Sequence, residues 1–172
     1  MNTPSAALPT TEVDATRFRF AVVVSKFNRA VTGKLEKGAL ECFARHGVPH
    51  EHISVFYCPG AFELPQVAER LLRTSKHDAV VCLGAVIRGE TSHFEYVANA
   101  CARGIQDVAL KYSVPVAFGV LTTDSEAQAM ERAGGKHGNK GWDAALAAIE
   151  MADLFRHIAR QRAFASKRKK RR

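Results

Sequence analysis

The sequence lacks any apolar run close to the roughly 20 residues that a helix needs to cross a bilayer. Its N-terminal stretch, MNTPSAALPTTEVDATR, lacks both a basic start and a hydrophobic segment, so we expect no secretory signal there. We interpret residues 1–16 as a flexible N-terminal arm. These absences predict a protein that does not act within a membrane.

Paired cysteine motifs are also missing. None of the four cysteines has C-x-x-C or zinc-finger spacing, so the sequence predicts no metal centre. Each cysteine has apolar neighbours, which favours buried free thiols in a reducing cytoplasm over disulfide bonds. We therefore expect a cytoplasmic protein with free thiols at Cys42, Cys58, Cys82 and Cys101.

An excess of positive charge is absent from most of the chain. The formal net charge is +8, from 25 Lys and Arg against 17 Asp and Glu, and eight of the basic residues lie within residues 160–172. Removing those eight leaves 17 bases against 17 acids, so the body of the protein is neutral. The charge therefore indicates no basic groove on the folded domain, and we predict a disordered basic tail over residues 159–172.

The remaining sequence alternates short apolar strands with amphipathic helices. The strands are predicted at residues 18–24, 52–57, 78–87 and 114–123. Helices are predicted from the cap Thr32 to before Gly47, and at residues 62–73, 93–112, 125–132 and 142–158, with the glycine-rich GGKHGNKG before the last. Because the strands are apolar throughout, we expect a single domain over residues 17–158: a three-layer α/β sandwich with a four-stranded parallel sheet and helices on both faces.

Polar residues follow these strands where ligands bind in parallel sheets, beyond the carboxyl ends. In the stretch GETSH, Gly89 permits a tight turn, and Thr91 and Ser92 are helix-capping residues. A helix start attracts anions, and His93 adds an imidazole that exchanges protons near neutral pH. Ordinary capping and a surface histidine would explain the same residues. These patterns alone therefore predict only a small-molecule site with affinity for anions.

Five linked motifs make the chain resemble the lumazine synthase family over roughly residues 17–158. They are SKFN, PGAFELP, GAVIRGETSHFEYV, PVAFGVLTT and ERAGGKHGNKGWDAALAAIEM. The resemblance implies a flavodoxin-like fold and a transferase that acts in the penultimate step of riboflavin biosynthesis. That reaction condenses 5-amino-6-(D-ribitylamino)uracil with 3,4-dihydroxy-2-butanone 4-phosphate, releases phosphate and water, and requires no cofactor.

The resemblance also implies roles for individual residues. His93 corresponds to the proton donor and acceptor, and Glu90, Thr91 and Arg132 correspond to residues that bind the butanone phosphate, with Lys140 as a further candidate. Phe118 corresponds to a residue that closes the site from the neighbouring subunit. The uracil-binding set is Phe27, Ala61, Phe62, Glu63, Ala85, Val86, Ile87 and Phe118.

Family sites lie between subunits, so the resemblance implies a pentamer. The short GGKHGNKG turn favours a 60-subunit icosahedral shell, which could enclose riboflavin synthase as cargo, over a free pentamer or decamer. Residues 18–20 are expected to pair with the next subunit. The alternative function is a riboflavin- or lumazine-binding protein, or a cargo shell. The basic tail is either a solvated end or a polycationic surface for nucleic acid and other polyanions.

Overall fold

The structure, a computed structural model, describes residues 13–74 and 76–169, with side chains placed up to residue 161. Most of the N-terminal arm predicted for residues 1–16 therefore lies outside the described residues. The last three residues of the predicted basic tail lie outside them as well.

Four parallel strands form the central sheet. They are β1 (Phe20–Ser25), β2 (Ile53–Cys58), β3 (Ala79–Ile87) and β4 (Val116–Thr123). Their order across the sheet is β2-β1-β3-β4. This confirms the predicted α/β architecture, and each strand begins and ends within two residues of its predicted position.

Helices cover both faces of the sheet. Helices α1 (Arg29–Arg45), α4 (Glu126–Arg132) and α5 (Lys140–Lys169) pack on one face, and α2 (Leu64–Thr74) and α3 (His93–Tyr112) pack on the other. Along β1, Val22 and Val24 enter the first core, whereas Ala21 and Val23 enter the second. Successive side chains of a strand point to opposite faces of the sheet. Because helices cover both faces, a strand of this sheet needs apolar residues at consecutive positions.

The first helix begins earlier than predicted, at Arg29 rather than at Thr32. Its N-cap is Asn28, which has left-handed backbone angles of φ 57° and ψ 45°. Thr32 donates its N–H to the Asn28 carbonyl at 3.0 Å and is fully buried inside the helix. The cap role predicted for Thr32 is therefore wrong.

The glycine-rich stretch also differs from the prediction, because it forms a small antiparallel hairpin. The hairpin pairs β5 (Ala133–Gly135) with β6 (Gly138–Asn139). Gly134 and Gly138 have φ of 108° and 73°, angles that side chains other than glycine rarely adopt. The Asn139 carboxamide then accepts the N–H of Gly141 at 2.8 Å, which starts α5 two residues before its predicted beginning.

One further prediction is corrected. The last helix does not end near residue 158, because its backbone continues as α5 to Lys169. The pairing of residues 18–20 with the next subunit stays a prediction, since it would involve their backbone, whereas the side chains of Phe18 and Phe20 are 2% and 0% exposed within this chain. Phe20 stacks on Phe43 of α1 with ring centroids 4.5 Å apart.

All four cysteines are free thiols and buried, which confirms that part of the sequence prediction. None of the helices within the described residues combines the length and the apolar character that crossing a membrane requires.

Candidate active site

A cavity of about 430 Å³ opens beyond the carboxyl ends of β1, β2 and β3. This is the edge where parallel sheets bind ligands, and the volume suits a small organic molecule. Its lining is Phe27, Asn28, Gly60, Ala61, Phe62, Glu63, Ala85, Val86, Ile87, Gly89, Thr91, His93, Phe94 and Val97.

Phe27 and Asn28, directly after β1, form one wall of this cavity. The Phe27 backbone N–H donates to the Pro59 carbonyl at 3.0 Å, which ties the segment to the end of β2. The Asn28 amide donates to the Ala85 carbonyl at 2.9 Å and thereby joins this wall to β3. Because the backbone is fixed on both sides while the Phe27 side chain is 70% exposed, its aromatic ring offers a flat surface to a ligand.

The turn after β2 forms a second wall. The Glu63 carboxylate accepts the N–H of Gly60 at 2.8 Å, so one of its oxygens holds the turn that begins at Gly60. Phe62 lies within this turn and is 51% exposed. Glu63 therefore positions its own segment, and its remaining acceptor capacity is available to a polar ligand.

The loop that joins β3 to α3 carries the polar end of the cavity. Thr91 accepts the backbone N–H of His93 at 3.4 Å through its hydroxyl, whereas Ser92, the N-cap, makes no side-chain cap bond. The imidazole of His93 is exposed and lines the cavity in the first turn of this 20-residue helix. The amino end of such a helix, with its positive dipole end, is suited to binding anions.

Arg88 fixes the base of the same loop. Its guanidinium lies 2.9 Å from the Asp124 carboxylate and 3.2 Å from the Glu95 carboxylate. It also lies 4.4 Å from the ring centroid of Phe94. The loop is thus tied to the end of β4 and to the first turn of α3.

The structure brings nine of the predicted site residues together in this cavity. They are Phe27, Ala61, Phe62, Glu63, Ala85, Val86, Ile87, Thr91 and His93. Four predicted residues do not line it. Glu90 is exposed on the loop between β3 and α3, between two residues that line the cavity, and Arg132, at the end of α4, donates to the Gln128 carbonyl at 3.0 Å.

Phe118 and Lys140 line a second cavity of about 300 Å³ between β4 and α5. Phe118 is 44% exposed, and the Lys140 ammonium lies 2.7 Å from the Asp143 carboxylate. Within one chain, the second cavity and the first are separate.

Comparison with known proteins identifies the family. A family model described as 6,7-dimethyl-8-ribityllumazine synthase matches residues 17–156. Proteins of that name from Prosthecochloris aestuarii and Chlorobium phaeobacteroides are 52% and 51% identical over 146 residues, covering 85% of this chain and 94% of each relative. The relative from Clostridium kluyveri is 48% identical over 147 residues, covering 86% of this chain and 96% of its own.

The chain belongs to the 6,7-dimethyl-8-ribityllumazine synthase family. This confirms the resemblance and the predicted enzyme class, a transferase of riboflavin biosynthesis. The family match extends from just before β1 into α5 and ends at residue 156, whereas α5 continues to Lys169.

Five cavity residues were missing from the site predicted for a member of this family. Asn28, Gly60 and Gly89 lie in strand-end segments, so their neighbourhood was identifiable from the sequence. Phe94 and Val97 follow the apolar spacing of α3, and that spacing does not distinguish side chains that line a cavity from those of the core.

Two observations concern the chemistry that this family site could use. Burial, together with the nearby Glu63 carboxylate, raises the pKa of the Cys58 thiol to about 11, so the thiol beneath the cavity stays protonated and is a poor nucleophile. Over the described residues, no group of three or more His, Cys, Asp or Glu side chains is arranged to hold a metal ion. The side chains that line the cavity provide aromatic rings, one carboxamide, one hydroxyl, one carboxylate and one imidazole.

Proposed function

We propose that this chain condenses 5-amino-6-(D-ribitylamino)uracil with 3,4-dihydroxy-2-butanone 4-phosphate to form 6,7-dimethyl-8-ribityllumazine. The amine adds to the ketone and loses water to form an imine, phosphate leaves, and ring closure releases a second water. The observation that carries the proposal is the single cavity in which an exposed aromatic ring, a helix start and His93 meet. These features match the three needs of the reaction: orientation, an anion site and proton transfer.

The pyrimidine substrate is assigned to the apolar half of the cavity. The exposed ring of Phe27 would stack on the heterocycle, and the end of β3, residues 85–87, would present backbone N–H and carbonyl groups to its polar edge. Glu63 stands beside this position, where its free acceptor capacity suits the ribityl hydroxyls.

The butanone phosphate is assigned to the start of α3. Thr91 and the backbone around Gly89 border the cavity there, and the helix end contributes partial positive charge. Glu90 is proposed to contribute through its backbone, because its carboxylate would repel a phosphate. Arg132 would supply a full positive charge, with Lys140 as a further candidate.

His93 is proposed to move protons between the substrates during imine formation and phosphate loss. It is the first residue of α3, two positions after Thr91, and lines the same cavity. A neutral imidazole has one nitrogen that donates a proton and one that accepts a proton, so a single side chain can serve both steps.

We further propose that the active unit is a pentamer in the cytoplasm, with twelve pentamers forming a 60-subunit shell. The cavity that contains Phe118 and Lys140 shares no lining residue with the first cavity within one chain, which is the arrangement that a site shared between subunits would produce. A shell could hold riboflavin synthase as cargo. Static light scattering and electron microscopy would distinguish the 60-mer from a pentamer or decamer.

A direct assay tests the reaction. Purified protein is mixed with the two substrates, and lumazine absorbance and phosphate release are followed against the reaction without enzyme. We expect both products to form in equal amounts and faster than in the control. A rate equal to the control, with tight binding of riboflavin or lumazine, would instead favour a binding protein or cargo shell.

A further inference from the structure

The last helix extends well beyond the part of the chain that the lumazine synthase family shares. The family match ends at residue 156, and α5 continues for 13 more residues to Lys169. At 1.5 Å per residue, this extension is about 20 Å long. Residues 157–161 are all exposed, so this part of the helix has left the core, whereas Ala152 is still buried there.

The extension leaves the domain far from the substrate cavity. The Arg156 guanidinium lies 5.1 Å from the ring centroid of Phe18, which precedes the amino end of β1. The cavity lies beyond the carboxyl ends of the same sheet. A ligand on the extension would therefore bind at the opposite end of the domain from the reacting substrates.

The positive charge of the protein is concentrated on this extension. After Asp153 the sequence has nine Lys and Arg residues and no Asp or Glu, and it ends in six consecutive bases, KRKKRR. The first 153 residues hold the other 16 bases and all 17 acids, so they carry about one net negative charge. Within the described part of the chain, no ion pair engages Arg160.

We propose that the basic segment 156–172, which contains this helical extension together with Arg156 and the last three residues of the sequence, binds nucleic acid through the phosphate backbone, without sequence preference. A dense run of Lys and Arg replaces the counterions around phosphates, which gives binding that weakens steeply with salt. Six of the nine bases are Arg, whose guanidinium can contact phosphate oxygens in pairs.

An anionic membrane is the other partner that a basic helix could bind. Interfacial helices require a face of large apolar residues alongside their basic face. Beyond Ile158 the extension contains one large apolar residue, Phe164, among its bases and small residues. Nucleic acid, which requires charge but no apolar face, is the better match.

The test measures binding of a fluorescent 30-nucleotide single-stranded RNA by anisotropy, from 50 to 200 mM salt. One variant of the full chain has all six residues 167–172 replaced by Gln. Because each phosphate that a base neutralises on a single strand contributes about 0.7 to the slope of log affinity against log salt, the six changes should reduce that slope by about 4. Over this salt range, the original chain should lose roughly 250-fold more affinity than the variant.

A matched pair of double variants separates the extension from general surface charge. Arg171→Gln with Arg172→Gln should lower the salt slope by about 1.4. Lys37→Gln with Arg103→Gln removes the same charge from side chains that are 78% and 87% exposed on the body, and should leave the slope unchanged. Light scattering confirms equal assembly of all variants, since avidity depends on the number of linked chains.

Several outcomes would overturn the proposal. These are an unchanged slope in the six-fold variant, equal slope changes in the two double variants, or binding to phosphatidylserine vesicles without binding to RNA. Turnover of the two substrates should be unchanged in the six-fold variant. Loss of turnover together with RNA affinity would contradict the separation of the two ends of the domain.

Discussion

Asn28, in the wall of the active-site cavity, affects stability through its side-chain hydrogen bond and through its left-handed backbone, and two substitutions separate these contributions. Its amide donates to the Ala85 carbonyl at 2.9 Å, and its backbone is left-handed with φ 57°. A typical hydrogen bond contributes about 1 kcal/mol, and left-handed angles cost most residues about 1–2 kcal/mol, although glycine and, to a lesser extent, asparagine tolerate them. Asn28→Gly loses the bond and adds freedom to the unfolded chain, so the free energy of unfolding should fall by about 1.5 kcal/mol.

Asn28→Ala should be the more damaging change. It loses the same hydrogen bond, and alanine lacks the polar side chain that lets asparagine adopt left-handed angles, so we expect a loss of about 2–3 kcal/mol. Urea unfolding at matched protein concentration measures both variants, since oligomers are more stable at higher concentration. The KM for the pyrimidine substrate should rise in both, because residue 85 lines the cavity beside Asn28.

Ser113 supplies the control for the backbone contribution. It is the other described residue besides glycine with positive φ, at 51°, and it follows the end of α3. Ser113→Gly should stabilise the protein by up to about 1 kcal/mol, because it relieves the left-handed angle without changing the cavity. Equal losses in the Asn28→Gly and Asn28→Ala variants, with no gain from Ser113→Gly, would refute the reasoning.

Three further changes test the site and its scaffold. His93→Ala should lower kcat roughly ten-fold, less than the usual acid–base effect because positioning carries most of the reaction; unchanged steady-state kinetics would exclude the role. Arg132→Ala should raise the KM for the butanone phosphate far more than it lowers kcat, and an unchanged KM would contradict the assignment. Gly141→Ala would place a Cβ against the Leu35 carbonyl oxygen, so the free energy of unfolding in urea should fall by about 3 kcal/mol. Gly89→Ala is the control, because its Cβ would meet no atom within 4 Å and stability should change little. Equal losses of stability in the two variants would show that α1 and α5 can move apart.

The sheet was predictable because its strands carry a strong signal. Strands covered on both faces must be apolar at every position, and the β1 residues Phe20 to Ser25 are all buried. The start of α1 was not predictable, because it depends on the bond between Asn28 and Ala85, 57 residues apart in the sequence. The hairpin before α5 was missed for a similar reason, since the backbone angles of Gly134 and Gly138 are set by folding and not by the local pattern.

The location of the site was predictable to the extent that it follows from topology. Three strand ends meet at one edge of a parallel sheet, so residues after β1, β2 and β3 converge there in any fold of this kind. For residues outside those segments, topology alone does not predict whether they lie near the site. Arg132 was predicted to bind phosphate only through the family resemblance, and its position relative to the cavity depends on how the short helix α4 packs.

The register of the sheet separates Phe118 from the cavity of its own chain. Phe118 pairs with Cys82 in the middle of β3, whereas the cavity is bordered by residues 85–87 of the same strand. The separation along the strand is therefore three to five residues, or about 10–16 Å. Phe118 is 44% exposed on β4, the last strand of the sheet, so the role proposed for it requires a contact with a second copy. If that role holds, the proposed assembly is a condition for a complete site, and a chain that cannot assemble should lose turnover.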